Sequence, residues 1–175
     1  MKIDLLNLKD GKTEYFEKLD AATLDIEGLE FVLKDFLDAH TTAEKRGNKV
    51  KISIETNFIL IMRCSRCLED YEESFVTDDS YFVKPGRDEE AEKYLTDEDV
   101  YAIFAPIDEI DTVPLIRDSL ILSVPMKPLC REDCKGLCPV CGANLNRQSC
   151  HHNIGEGGSR WQKMLMDIKG KIEKG

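Results

Sequence analysis

The chain has 175 residues, which is the size of one ordinary domain and enough to bury a core without covalent cross-links. Its formal net charge is −10, and it has no apolar run of the roughly 18 residues that a membrane span requires, so we expect a cytoplasmic protein without membrane association. Residues 1–129 hold 16 Lys and Arg against 29 Asp and Glu, whereas residues 130–175 hold 8 against 5. An acidic body repels phosphate, so any contact with nucleic acid is expected at the mildly basic end or through a protein partner.

The first half of the chain has the alternation typical of β-strands. The clearest strand is predicted over 49–63, where the even-numbered residues are mostly apolar and face the core. Residues 30–44 are predicted to be its antiparallel partner, although their apolar spacing also fits a helix, and residues 71–83 are predicted to run back as a third strand. Residues 2–6 and 13–19 are candidates for short strands. These elements predict an α+β fold, with an antiparallel β-meander or small open barrel and one or two packed helices.

The middle of the chain changes character at an acidic stretch. Residues 85–99 are predicted to form a solvated loop or a short exposed helix, because seven acids among residues 88–99 are opposed only by Lys93. An apolar segment at 101–107 predicts another strand. A helix is predicted over 113–123, since the preceding Asp and Thr can cap it, a proline follows early, and two later prolines end it.

The last predicted element is a helix that begins near Ser159. Its apolar residues recur at helical spacing, which favours packing against another surface over ligand binding. They are Trp161, Met164, Leu165, Ile168 and Ile172. We therefore divide the chain into a mainly β body at 1–129 and a cysteine-rich segment with a C-terminal helix at 130–175.

Seven cysteines in two groups predict metal binding. Thiolates on tight turns can converge on one tetrahedral cation, and a reducing compartment keeps them free for this. With one histidine they make eight ligands, enough for two closed zinc sites. The first site would comprise Cys64, Cys67, Cys130 and Cys134, and the second would comprise Cys138, Cys141, Cys150 and His152. His151 competes with His152 as the eighth ligand, and four thiolates would also suit an iron–sulfur cluster.

The two cysteine pairs differ in how specific they are. Cys138-Pro139-Val140-Cys141-Gly142 has the form of a zinc knuckle, in which the glycine permits a positive φ and lets backbone N–H groups point at the thiolates. The spacing of Cys64 and Cys67 alone also fits a redox dithiol, and it gains weight only from the second group. A shared first site would tie the two regions of the chain together.

An enzymatic interpretation is weaker. Cys67-Leu68-Glu69 with the later Cys-x-x-Cys partly matches zinc deaminases, but Pro139 lies inside the cysteine pair and two filled tetrahedra leave no position for a reactive water. The chain has no phosphate-binding loop, nucleophile elbow or dinucleotide fingerprint. We therefore predict a protein that is not an enzyme and has no small-molecule substrate.

Residues 62–69 (MRCSRCLE) and 122–146 (LSVPMKPLC through CPVCGANLN) resemble the YceD-like family, the large ribosomal RNA subunit accumulation proteins, over about residues 26–152. The resemblance implies a bacterial, non-enzymatic factor for accumulation of large-subunit 23S ribosomal RNA, through processing or assembly. Cysteine-rich members of this family usually end in Cys-x-Cys, where this chain has Cys150-His151-His152.

Direct contact with ribosomal RNA or with a basic ribosomal protein is expected from the cations around the predicted metal sites. They are Arg63, Arg66, Lys127, Arg131, Lys135, Arg147, Arg160 and Lys163. Two other functions remain open from the sequence. One is a protein-binding adaptor whose acidic face grips a basic partner, and the other is a redox-controlled factor whose thiols release zinc on oxidation.

Overall fold

The computed structural model describes residues 1–47, 49–85, 102–105 and 109–152. In chain order the elements are β1 (Lys2–Asp4), β2 (Gly11–Leu19), β3 (Phe31–Leu33), β4 (Leu37–Arg46), β5 (Lys49–Arg63), β6 (Asp70–Pro85), β7 (Ala102–Ala105), β8 (Glu109–Asp111) and α1 (Val113–Ser123). The fold is α+β with mostly antiparallel strands, as predicted. Within the described ranges, no helix is long and apolar enough to cross a membrane.

The dominant element is the long hairpin of β5 and β6. Its pairing is continuous from Val50 opposite Val83 to Arg63 opposite Asp70. The even-numbered residues of β5 from Val50 to Met62 are all buried, which confirms the predicted core face. The hairpin therefore carries Cys64 and Cys67 at its tip, at one end of the sheet.

The sheet around this hairpin differs from the prediction in two ways. The partner of β5 is two strands instead of one: β4 pairs along the first part of β5, and the short β3 pairs near the tip, with Phe31 opposite Met62. The strand order is β2-β4-β5-β6-β7, and β7 runs parallel to β6, so the sheet is not a simple meander. No pairing of β2 with β7 closes the described strands into a barrel.

One face of the sheet forms the core with α1, whose Ile116 and Leu120 are buried in the same cluster as Phe58 and Leu60. Burying each such side chain contributes about 1.5–3 kcal/mol. Polar groups also join α1 to β6, since the Ser119 hydroxyl donates to the Thr77 hydroxyl at 3.0 Å. The helix is thereby fixed on the sheet, and the chain that leaves it returns toward the hairpin tip.

The start of α1 agrees with the predicted bounds, and of the two predicted capping residues Asp111 makes the bond. Its Oδ1 accepts from the amide of Val113 at 3.1 Å. Thr112 makes no capping bond with its side chain; its hydroxyl donates to the carbonyl of Met1 at 3.1 Å. Asp111 also ends β8, which pairs with β1, so the helix start is tied to the chain start.

Several predictions extend beyond the described residues. Of the acidic stretch 85–99, only Pro85 is described, and it is the last residue of β6 rather than part of a loop. The strand predicted over 101–107 is seen as β7. The C-terminal helix, with Arg160 and Lys163, lies outside the described residues. The division at residue 129 stays a prediction.

Candidate metal centre

The first cluster lies between the hairpin tip and the segment that follows α1. Cys64, Cys67 and Cys134 are buried and Cys130 is half-buried, and their four sulfurs lie within 4.8 Å of one another. These are the four residues predicted for the first site. They form a small buried cluster of their own, separate from the main core.

Backbone hydrogen bonds hold the two halves of this cluster together. The amide of Ser65 donates to the carbonyl of Pro128 at 2.8 Å, and the amide of Leu137 donates to the carbonyl of Arg66 at 3.1 Å. The guanidinium of Arg66 also donates to the carbonyl of Cys134 at 3.0 Å. Segment 128–137 is thus docked on the hairpin tip by main-chain contacts on both sides of the cysteines.

The sulfur positions fit a tetrahedral ion. With zinc–sulfur bonds of about 2.3 Å, the sulfurs of a tetrahedral site lie about 3.8 Å apart. The sulfurs of Cys64 and Cys134 are 3.8 Å apart, and those of Cys67 and Cys130 are 3.7 Å apart. The donor set and its spacing therefore match a closed four-thiolate metal site.

The electrostatics of the first cluster also call for a cation. Burial alone would raise the pKa of Cys64, but backbone N–H groups of Cys130, Cys67 and Arg66 outweigh it and lower the pKa to about 6. In contrast, burial and the neighbouring sulfurs of Cys134 and Cys64 raise the pKa of Cys130 to about 12. Crowded sulfurs cannot all ionise unless a positive charge lies among them.

The second cluster lies within the short loop 138–152. One ligand atom each from Cys138, Cys141, Cys150 and His152 falls within the same 4.8 Å limit. The Cys138 sulfur is 4.0 Å from Nδ1 of His152, compared with the roughly 3.6 Å expected for a tetrahedral sulfur–nitrogen edge. Cys138 is buried, but Cys141 and His152 are exposed. The structure thus brings together the four ligands predicted for the second site, with His152 rather than His151. They are more widely spaced and more exposed to solvent than the ligands of the first cluster.

The two Cys-x-x-Cys turns have the same backbone pattern. The amide of Leu68 donates to the carbonyl of Cys64 at 2.9 Å, and the amide of Gly142 donates to that of Cys138 at 2.8 Å. Both donors lie in left-handed backbone conformations, with φ of 59° and 72°. N–H groups of Cys141 and Val140 lower the pKa of Cys138 to about 6, as N–H groups do for Cys64. The knuckle geometry predicted for the second turn is therefore present in both.

Asn146 connects the second loop to the first cluster, and our sequence reasoning did not identify it as a site residue. Its Nδ2 donates to the sulfur of Cys134 at 3.3 Å, and its Oδ1 accepts from the Lys135 amide and from Arg131, both at 2.8 Å. Although burial opposes it, this donor helps to lower the pKa of Cys134. The only sign of it in the sequence is that Asn146 is the last residue of the motif at 122–146.

Gly136 is a second residue whose role the sequence did not show. Its φ is +72°, and a Cβ placed there would lie 3.0 Å from the carbonyl oxygen of Arg66. The close approach is what lets the Leu137 amide reach that same carbonyl. A side chain at this position would push segment 128–137 off the hairpin tip.

Six of the eight predicted contact residues lie in the described part of the chain, and four of these six already have partners. Arg63 pairs with Asp70 at 3.0 Å, and Arg147 pairs with Glu69 at 2.6 Å. Arg66 donates to the carbonyl of Cys134, and Arg131 donates to Oδ1 of Asn146. Lys127 and Lys135 are exposed and have no ion-pair partner among the described residues.

Comparisons with known proteins identify the family. The family model described as "Large ribosomal RNA subunit accumulation protein YceD" matches residues 52–166, which is more than half of the chain and includes both clusters. The chain belongs to this family, as its motifs predicted.

Relatives extend the similarity to mycobacteria and to plants. An uncharacterized protein of Mycobacterium tuberculosis is 29% identical over 171 residues, covering 94% of this chain and 80% of that protein. The chloroplastic YCED homolog 1 of Arabidopsis thaliana, named as a large ribosomal RNA subunit accumulation protein, is 25% identical over 129 residues, covering 61% of this chain and 40% of that one. The maize protein of the same name is 49% identical over 41 residues, covering 23% of this chain and 14% of the relative. No solved structure gives a significant match.

Proposed function

We propose that this protein is a non-enzymatic cytoplasmic factor for the accumulation of large-subunit 23S ribosomal RNA, acting by binding RNA or a ribosomal protein during processing or assembly. The observation that carries the proposal is the family match, which spans nearly all of the hairpin and all eight candidate ligands. The name of the Arabidopsis relative agrees with it. Family membership gives the process, and the contacts of this chain suggest how it acts.

We assign zinc to both clusters, with a structural role. A closed tetrahedral site has no open position for substrate or water, so bound zinc would supply folding free energy and not catalysis. The closed donor sets and the sulfur spacing of the first cluster support this assignment. Zinc would fix the hairpin tip and segment 128–152 as one binding surface.

The charges of this surface favour a protein partner over bare RNA. Residues 126–152 hold four cations against two anions, an excess of two. Zinc on four thiolates carries a formal charge of about −2, and zinc on three thiolates and a neutral imidazole carries about −1. With both ions bound the surface has no positive excess, and phosphate binding depends on such an excess. Of the two proposed mechanisms, this charge balance therefore favours an adaptor that binds a basic ribosomal protein.

Depletion of the protein in growing cells tests the process. The ratio of 23S to 16S ribosomal RNA, and the amount of large-subunit precursor, should change within a few generations and return when the wild-type protein is restored. An unchanged ratio and an unchanged precursor level would refute the proposed function.

Crosslinking tests the mechanism. The tagged protein is crosslinked in living cells, purified under denaturing conditions, and analysed for both attached RNA and attached proteins. Enriched large-subunit precursor RNA would favour direct contact, whereas a ribosomal protein without RNA would favour the adaptor.

A further inference from the structure

An open groove of about 890 Å³ runs beside the first metal cluster. One wall is β3 with the residues before it, the other wall is the chain from Ile121 to Pro128, and the floor is the end of β5 with Cys64 and Ser65. We call it the tip groove. Its position puts it in direct contact with the hairpin tip that carries two of the metal ligands.

Large apolar side chains line the tip groove without being buried by the described chain. Met126 is fully exposed, Val32 and Leu68 are each more than half exposed, and Leu29 is 41% exposed. Isolated exposed apolar residues are ordinary, but several around one concave surface mark a binding site. Segment 124–128 is held in place by the hydrogen bond between Ser65 and Pro128, so this wall is preformed.

Leu68 gives an independent sign that the groove is used. It occupies the left-handed position of its cysteine turn with φ of 59°, where the matching turn has Gly142. A side chain strains this backbone conformation, and leucine has no short polar group to offset the strain. Because 58% of the side chain is exposed, burial in the folded chain does not offset it either. The cysteine turn requires this conformation, but glycine would adopt it without strain, so a strained and exposed leucine here is typical of a residue kept for binding.

The charges of the groove indicate the kind of partner. Glu30, Arg63 and Asp70 are its acidic and basic lining residues, and Arg63 and Asp70 neutralise each other in a salt bridge. Lys127 is an exposed cation in the wall between Met126 and Pro128. Glu30 is exposed and has no ion-pair partner within the described ranges, and the same is true of nearby Glu27. The body that carries the groove, residues 1–129, has an excess of 13 acids, from 29 Asp and Glu against 16 Lys and Arg. A cationic partner is complementary to this surface.

We propose that the tip groove binds a cationic amphipathic segment of a partner protein, with apolar side chains against Leu68, Val32 and Met126 and a lysine or arginine at Glu30. This proposal rests on the proposed function and deepens it by placing the protein partner at a defined surface. The apolar contacts provide affinity, and the acidic rim provides orientation and faster association.

Site-specific photo-crosslinking in living cells tests this. A photoreactive amino acid replaces Met126 in one strain and Val76, an exposed apolar residue of β6 that pairs with Asn57 and does not line the groove, in a control strain. Crosslinked peptides are sequenced by mass spectrometry. We expect position 126, but not position 76, to capture one recurrent protein segment in which Lys or Arg flanks apolar residues. Capture of RNA, of residues 153–175 of the same chain, of a second copy, of a segment without cations, or of nothing would overturn the proposal.

A synthetic peptide of the captured sequence then measures affinity for the purified full-length protein. Glu30→Lys should weaken binding about tenfold, whereas Asp78→Lys on the outer sheet face should not change it. Leu68→Gly should weaken binding without lowering the Tm, because it removes an apolar contact and relieves backbone strain. A lower Tm with unchanged binding would show that Leu68 is structural and would overturn its assigned role.

The two proposals fail in different ways. If depletion leaves 23S ribosomal RNA unchanged, the proposed function is wrong whatever the groove binds. If depletion lowers 23S ribosomal RNA but Glu30→Lys and Leu68→Gly both restore it as well as the wild type does, only the groove assignment is wrong.

Discussion

The two candidate metal centres are built on the same cysteine turn but join very different parts of the molecule. In the first, ligands 63 and 70 residues apart in sequence meet at the hairpin tip. In the second, Cys138 and His152 are only 14 residues apart, and two of the four ligands are exposed. A metal that closes a long loop removes more entropy from the unfolded chain than one that closes a short loop. The first centre should therefore belong to the cooperative fold, and the second should stabilise only its own loop.

Removing one ligand from each centre should show the largest difference. Cys134→Ser and Cys141→Ser should each leave one zinc per chain instead of two. Cys134→Ser should also lower the Tm by roughly 10 °C or more, because structural zinc contributes directly to folding. Cys141→Ser should change the main transition little. Elemental analysis and calorimetry measure both effects, and equal losses of Tm would contradict the distinction.

Two glycines with the same φ provide the next comparison. Gly136→Ala places a Cβ 3.0 Å from a backbone oxygen, whereas Gly142→Ala meets nothing within 4 Å. We expect Gly136→Ala to lower the free energy of unfolding by roughly 2–3 kcal/mol and Gly142→Ala by about 1 kcal/mol, the backbone strain alone. Urea titration of both variants gives these values. If Gly142→Ala proved the more harmful, the docking role assigned to Gly136 would be wrong.

Asn146 tests the connection between the centres. Asn146→Ala removes an N–H donor to the Cys134 sulfur and leaves the Lys135 amide without its acceptor. The expected loss is about 1–2 kcal/mol in unfolding free energy, with faster zinc release from the first centre. Gln148→Ala, at an exposed position of the same loop, is the matched control. Faster zinc release from the second centre alone would show that Asn146 does not connect the second loop to the first centre.

The two neighbouring histidines should give the smallest effect on stability. His152→Ala should weaken zinc binding at the second centre by more than about 100-fold, because about 100-fold is the upper range for residues that only support a ligand. His151→Ala should not weaken zinc binding to this extent. His152→Cys should keep the ion. Competition with a chromophoric chelator measures the affinities. A strong effect of His151→Ala with none of His152→Ala would reverse the ligand assignment.

Much of the fold could be predicted because its main elements are strongly periodic. The alternation in β5 and the capping and proline signals around α1 gave correct bounds for both elements. The break between β3 and β4 could not be found, since its residues, Lys34-Asp35-Phe36, include neither glycine nor proline to mark a turn. The parallel pairing of β7 could not be predicted either, because the direction of a strand depends on the connection before it and not on its own residues.

The candidate site shows the same division. Seven cysteines and one histidine at short spacings were enough to propose two groups of four, and the structure brings the ligands of each group together. Gly136, Asn146 and the internal hydrogen bonds of Arg66 were not visible, because each depends on a contact between segments distant in sequence. Arg66 was predicted only as a contact for RNA or a partner, but its guanidinium donates to the backbone carbonyl of Cys134 within the protein.

Native mass spectrometry during a chelator titration, with the Tm measured at each step, tests the central claim most directly. We predict two zinc ions per chain, with the first lost at low chelator concentration while the Tm stays nearly constant, and the second lost only as the Tm falls. Loss of both ions in one step, or a chain that never holds two ions, would contradict the claim that the first centre belongs to the cooperative fold and the second stabilises only its own loop.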